Sequence, residues 1–198
     1  MAVSKLWLIN EGGLSRVLQY AANPKKTNNK LYVNGINCEP ETAYEEFTAV
    51  KHSYAKTGGI EAYHGYLSFK EQDITPELSL KIGTEFAQEV WGKRFQVLVT
   101  VHTDTEHPHC HFVINSVSFV DGKKLWGKEK AWFKFKQTAD RLCEKYGLYY
   151  NPKPVRGKSS SYHYNREKKG EPTRYLLARE AMEKALLQCT NTADLRYT

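Results

Sequence analysis

The stretch from Val97 to Asn115, VLVTVHTDTEHPHCHFVIN, constrains the fold more than any other, and it carries four of the chain's seven histidines. Val97, Val99 and Val101 alternate with Leu98, Thr100 and His102. Beyond a polar turn, Cys110, Phe112 and Ile114 alternate with His109, His111, Val113 and Asn115. Period-two alternation of β-branched and aromatic residues on both sides of a turn specifies a β-hairpin, because successive strand side chains point to opposite faces. One face of this hairpin is apolar throughout and the other collects histidines. A turn over Thr103 to Pro108 puts His102 opposite His109, where paired Cβ atoms stand about 5 Å apart.

His111 follows two residues later on the same face, so three imidazoles can converge. Three neutral imidazoles that leave positions open for water or a substrate oxygen are the pattern of a catalytic metal site. Asp104 is placed to accept the second ring N–H of a ligand, or to ligate the metal itself. His107 has the parity of His109, but Pro108 and the turn disturb its geometry, which leaves it an accessory candidate. Cys110 points to the apolar face and reads as a small core residue. Asn115 shares the histidine face but lies about 13 Å beyond His111 at the usual strand rise. It is too far to share a metal and instead contacts DNA or a neighbouring strand.

The rest of the chain supplies a sheet for that hairpin to join. Residues 3 to 9 read as a strand. Leu14, Val17, Leu18 and Ala21 recur at helical spacing in a helix over 14 to 22 that stops before Pro24. A short strand or turn over 31 to 36 precedes a helix from Glu39 to about Lys56. A strand over Glu61 to Lys70 follows, then a helix from Thr75 to about Trp91 with Thr75 as N-cap. After the hairpin, Ser116 to Val120 extend the last strand, and a helix spans Glu129 to Tyr146. The expected architecture is α+β: an antiparallel sheet of about five strands, helices on its apolar face and histidines on its exposed face. Residues 1–147 form this domain. Residues 148–198 add a basic, tyrosine-rich segment and a helix from Pro172 to about Cys189, docked on the same domain.

With 198 residues, a net charge of +7 and a pI near 9.1, the chain suits a polyanionic partner. Thirteen tyrosines and four tryptophans offer stacking surfaces for unpaired bases. The four cysteines are widely spaced, which suggests neither a zinc knuckle nor a disulfide framework and fits a reducing, cytoplasmic setting. No apolar run reaches the length of a membrane span.

The string His102-x-Asp104-x-x-His107-x-His109-x-His111-x-x-x-Asn115 resembles the third motif of MobP-type relaxases, the conjugative mobilisation nucleases of the HUH endonuclease superfamily. Tyr20-Ala-Ala-Asn-Pro-Lys25-Lys26-Thr27 resembles their first motif, and His64-Gly-Tyr-Leu-Ser68-Phe their second. The resemblance runs from Tyr20 to Asn115, more loosely to Tyr146, and implies the HUH fold. Relaxases are commonly longer, so this chain is expected to be their N-terminal catalytic part.

The implied activity is metal-dependent, strand-specific nicking and rejoining of single-stranded DNA at an origin of transfer, with auxiliary relaxosome proteins as further partners. Tyr20 would be the nucleophile, forming a 5′-phosphotyrosine link. A divalent ion (Mn, Mg, Zn or Ni) on His102, His109 and His111 would bind the scissile phosphate. Lys25 and Lys26 could neutralise phosphate and favour a phenolate, and Ser68 would donate to a phosphate. His64 either approaches the site or stacks on a neighbour. Two other classes fit part of the pattern. His107-Pro-His109-Cys-His111 also matches the metal-free histidine-triad nucleotide hydrolases and transferases, and a structural metal would make the domain a non-catalytic single-stranded-DNA-binding module.

Overall fold

The computed structural model describes residues 3–69, 74–105, 108–125 and 129–149, together with isolated positions between 166 and 184. Contacts divide the chain into two compact units, Met1–Pro152 and Lys153–Thr198. In the second, Leu177, Ala178 and Glu180 to Met182 are helical. Most of the expected basic segment and much of the last helix lie outside the described residues.

The first unit runs β1 (Val3–Asn10), α1 (Leu14–Ala21), β2 (Val33–Ile36), α2 (Ala43–Ser53), β3 (Ile60–Ser68), α3 (Pro76–Val90), β4 (Val97–His102), β5 (His109–Asn115) and α4 (Glu129–Lys145). The strands form one sheet in the order β1-β3-β5-β4-β2, and every neighbouring pair is antiparallel. This is the five-stranded α+β architecture expected from the sequence. No helix among the described residues is long and apolar enough to cross a membrane.

The hairpin register follows from its alternation. Val97 pairs with Ile114, Val99 with Phe112 and Val101 with Cys110, and His102 pairs with His109. The apolar row is fully buried in the main core with Ile82 and Phe86 of α3 and Phe135 and Leu142 of α4. Phe86 packs edge-on to Phe135 with ring centroids 4.7 Å apart, and its ring also meets Phe112 at 5.4 Å. Burial of each such ring contributes roughly 1.5–3 kcal/mol, so this face supplies much of the fold's stability. Gly83 of α3 lies so close to the hairpin that a Cβ there would stand 2.9 Å from the Cys110 sulfur.

The histidine face departs from expectation, because it is not simply exposed. At one end Leu98, Val113 and Ala62 are apolar, and they bury Leu14, Val17, Leu18 and Ala21 of α1 with Ala43 and Phe47 of α2 in a second core. Only the end carrying the histidines is polar. A second departure follows β5, which stops at Asn115. Val117 makes only an isolated bridge to Lys124. The Ser118 hydroxyl accepts from the N–H groups of Val120 and Asp121 and closes a turn where a longer strand was expected.

Helix α1 has eight residues, too short to persist alone, and has no side-chain cap of its own at Gly13. Glu61 of β3 supplies one across the sheet, its Oε2 accepting from the N–H groups of Gly13 (3.1 Å) and Leu14 (2.9 Å). A carboxylate at that end also offsets the partial positive charge of the helix N-terminus. Beneath the second core, Lys51 is buried, and its ammonium donates to Asn115 Oδ1 at 2.7 Å. Burial pulls its pKa from 10.5 down to about 8, against the opposing pull of Glu61.

Two outcomes follow. Glu61→Gln should lower stability by about 1 kcal/mol, read as a shift of the urea midpoint, because two charge-assisted bonds become neutral ones. Lys51 holds its proton less tightly folded than unfolded between pH 8 and 10.5, so its contribution to stability rises with pH across that window. The melting temperature of Lys51→Met, measured from pH 7.5 to 10.5, should lack that rise relative to the parent chain.

Candidate active site

Four elements meet at the polar end of the sheet. The last turn of α1 presents Tyr20, β4 ends on His102, β5 opens with His109 and His111, and β3 supplies His64, Tyr66 and Ser68. With Trp7 of β1, Lys26, Asp104 and Thr105, most of these line an open cleft of about 510 Å³. A larger concavity, about 760 Å³, lies by Arg94 and Lys123 and holds none of these side chains.

Tyr20 falls outside the apolar stripe of α1 and is 45% exposed. Its ring stands edge-on over three imidazoles, with centroids 5.3 Å from His102, 5.9 Å from His64 and 6.0 Å from His111. The His102 and His111 rings are 4.1 Å apart. Lys26 Nζ lies 5.0 Å from the Tyr20 ring centroid, so a positive charge sits beside the phenol.

His102, His109 and His111 each have a ring nitrogen engaged by the protein. His102 Nε2–H donates to the Ala21 carbonyl at 2.9 Å, which makes Nδ1 the lone-pair nitrogen of the neutral ring. His111 Nδ1 shares a proton with His64 Nε2 across 3.1 Å, and His109 Nδ1 meets the Thr105 hydroxyl at 3.1 Å. Such partners fix tautomer and ring orientation, as expected of metal-ligating imidazoles. Burial disfavours the imidazolium form of His64, His102 and His111. It takes His64 down to about 4 and His111 further, each also repelled by His102, and it lowers His102 against the opposing effect of the Ala21 carbonyl. These three rings are therefore neutral at pH 7, the protonation state a cation needs. Among the described residues no group of three His, Cys, Asp or Glu side chains is already gathered at metal-binding geometry. The fit to a cation rests on the donor chemistry.

The other sequence candidates divide. His64, undecided between site and stacking, does both: it bonds His111 and packs edge-on to Trp7 at 4.5 Å. Ser68 pairs with His109 in register and lines the cleft. Lys25 is exposed and is not part of the cleft wall. His107 lies outside the described residues.

Asp104 does not take the expected bond from a histidine ring. It forms an ion pair with Lys26 at 2.7 Å, which holds its carboxyl below the usual range, while Ala21 and Thr105 meet the histidine nitrogens instead. Of the two readings of Asn115, contact with DNA is the one its burial removes, while it pairs with Ala62 of the neighbouring strand. It is fully buried, donates to the Phe47 carbonyl and Gln96 Oε1, and accepts from Lys51, so it braces the second core and has no surface to offer DNA. Sequence reasoning missed Glu61, Lys51 and Trp7. Only Trp7 left a trace, as an aromatic in the first strand, but its place opposite His64 depends on the β1–β3 register.

A family model described as relaxase, MobA/VirD2-like, nuclease domain matches residues 20–148. Two Staphylococcus aureus proteins named Protein rlx are similar. One is 36% identical over 148 residues, covering 75% of this chain and 44% of that protein; the other is 35% identical over 134 residues, covering 68% and 39%. The chain thus spans less than half the length of these relatives. Among solved structures, the Mn-bound MobM relaxase domain on plasmid pMV158 oriT DNA superposes with a TM-score of 0.57 at 11% identity, covering 83% of this chain and 98% of that one. A chain from work on vancomycin resistance transfer in Staphylococcus aureus gives 0.54 at 14% identity, covering 81% and 100%. At such identities the likeness speaks for the fold.

The Asn115 reassignment is measurable. Asn115→Ala strips partners from a buried lysine and a buried glutamine, so stability should fall by about 2–4 kcal/mol. The affinity of the folded fraction for single-stranded DNA should stay within about twofold, whereas loss of a direct phosphate contact would weaken binding without unfolding the chain.

Proposed function

The chain belongs to the MobA/VirD2-like relaxase nuclease family, and from that membership we propose that residues 1–147 are a catalytic domain that nicks and rejoins single-stranded DNA at an origin of transfer. The observation that carries the proposal is Tyr20 itself, an exposed phenol held over a cluster of neutral imidazoles with Lys26 beside it.

The step is a transesterification. The Tyr20 oxygen loses its proton and attacks the scissile phosphorus in line. A phosphorus–oxygen bond to tyrosine forms, the bond to the 3′ oxygen breaks, and that oxygen takes up a proton. The product is a 5′-phosphotyrosine and a free 3′-hydroxyl. The covalent link conserves the bond energy, so the reverse attack by a 3′-hydroxyl reseals the strand.

Lys26 places a positive charge beside the Tyr20 ring, and its ion pair with Asp104 holds the ammonium at that position. His64 and the Ala21 carbonyl orient the rings of His111 and His102. Ser68 offers a hydroxyl to a phosphate oxygen at the cleft wall. His102, His109 and His111 would hold a divalent cation, which when bound supplies charge stabilisation for the phosphate oxygens as the transition state forms. In this reading the DNA partner and the cation parallel what the MobM domain holds, and relaxosome proteins that open the duplex are further expected partners. Neither the nucleotide-hydrolase reading nor the binding-module reading is retained, since neither gives Tyr20 a role.

The test is a denaturing gel of the protein mixed with labelled single strands from the transfer region of its own element, with Mn²⁺ or with chelator. A denaturant-resistant adduct should form with Mn²⁺ and fall by at least about a hundredfold with chelator or in Tyr20→Phe. An adduct that persists in Tyr20→Phe would move the nucleophile elsewhere, and its absence on every strand tried would remove the enzymatic reading.

A further inference from the structure

We infer that Trp7, with Tyr66 beside it, is a stacking site for an unpaired base next to the scissile phosphate; this rests on the proposed reaction on single-stranded DNA. Trp7 is a large aromatic residue left 36% exposed at the cleft wall, and it belongs to neither core. Its ring contacts are with His64 and Tyr66 at the site and not with the apolar cores.

Its surroundings point to a nucleotide. In the β1–β3 register Trp7 lies opposite His64, and its ring meets the His64 ring at 4.5 Å and the Tyr66 ring at 6.1 Å, both edge-on. Tyr66 in turn reaches the rings of His109 and His111 at 6.3 and 6.2 Å. Trp7 is therefore two ring contacts from Tyr20, through His64, so a strand whose phosphate sits at Tyr20 brings a neighbouring base to the indole. Lys5 Nζ stands over the Trp7 ring, 5.9 Å from its centroid, so a cation is within reach of the phosphate of a nucleotide stacked there. Aromatic rings interleaved with cations are the general device for holding single strands, since every base has a π face and every nucleotide a phosphate.

The competing role is a lid: Trp7 covers His64, which is itself buried. Two substitutions separate the roles. Trp7→Leu keeps an apolar cover over His64 without a π face, and Trp7→Phe keeps both. The probe is a fluorescein-labelled single strand spanning the nick position, together with a series carrying one abasic nucleotide at each position around the scissile phosphate, with Kd read by anisotropy.

Trp7→Leu should bind the intact strand about tenfold more weakly, and Trp7→Phe within about threefold of the parent. At one position beside the scissile phosphate the abasic strand should bind the parent about tenfold more weakly yet cost Trp7→Leu nothing further. That non-additivity identifies a direct partnership between ring and base. Additive losses at every position, or unchanged binding by Trp7→Leu, would overturn the inference. The Tyr20 adduct is measured on the same intact strand. Coupling without an adduct leaves the stacking site standing and removes the nicking reaction, whereas an adduct without coupling does the reverse.

Discussion

Everything at the polar end of the sheet depends on how one short helix is fixed. Two turns of α1 cannot hold a side chain in place by themselves, yet Tyr20 sits in its final turn. The helix is held at both ends by groups from the sheet. The Glu61 carboxylate takes the N–H groups at its start, and the His102 ring donates to the Ala21 carbonyl at its finish. Between these, Leu14, Val17, Leu18 and Ala21 bury one side of the helix against the strands. The imidazole nearest Tyr20 is thus also the anchor that keeps Tyr20 there, and position and chemistry share a side chain.

The sheet face beneath is divided along its length. Where Leu98 and Val113 project, the two helices close over it. Where His102, His109 and His111 project, the cover gives way to a cleft. The histidines lie at the border, with His102 and His111 enclosed enough to remain neutral and the cleft open enough to meet a ligand. Asn115 and Lys51 sit on the enclosed side. Their buried polar atoms satisfy one another, so residues that look functional by type are there to make burial tolerable.

The alternation from Val97 to Ile114 is a local signal and was readable in full, as were the helical stripe that ends near Tyr20 and the pairing of His102 with His109. What could not be read required knowing which strands become neighbours. Glu61 reaches α1, and Trp7 faces His64, only because β3 lies between β1 and β5. The role of Asn115 stayed open between DNA and a neighbouring strand because face parity alone does not say that α2 covers that end of the sheet. Asp104 was matched to a histidine from sequence proximity, while its actual partner, Lys26, arrives from a loop remote in sequence.

Gly83 extends this dependence to the back of the sheet. Cys110, between His109 and His111, donates its thiol to the Ser79 carbonyl at 2.9 Å and packs where a Cβ on Gly83 would have to stand. The height of the β5 backbone above α3 is set there, with no slack, and the two histidines flanking Cys110 inherit it. Alignment of the histidine face is therefore a mechanical tolerance, held on the opposite side of the sheet by a residue with no side chain.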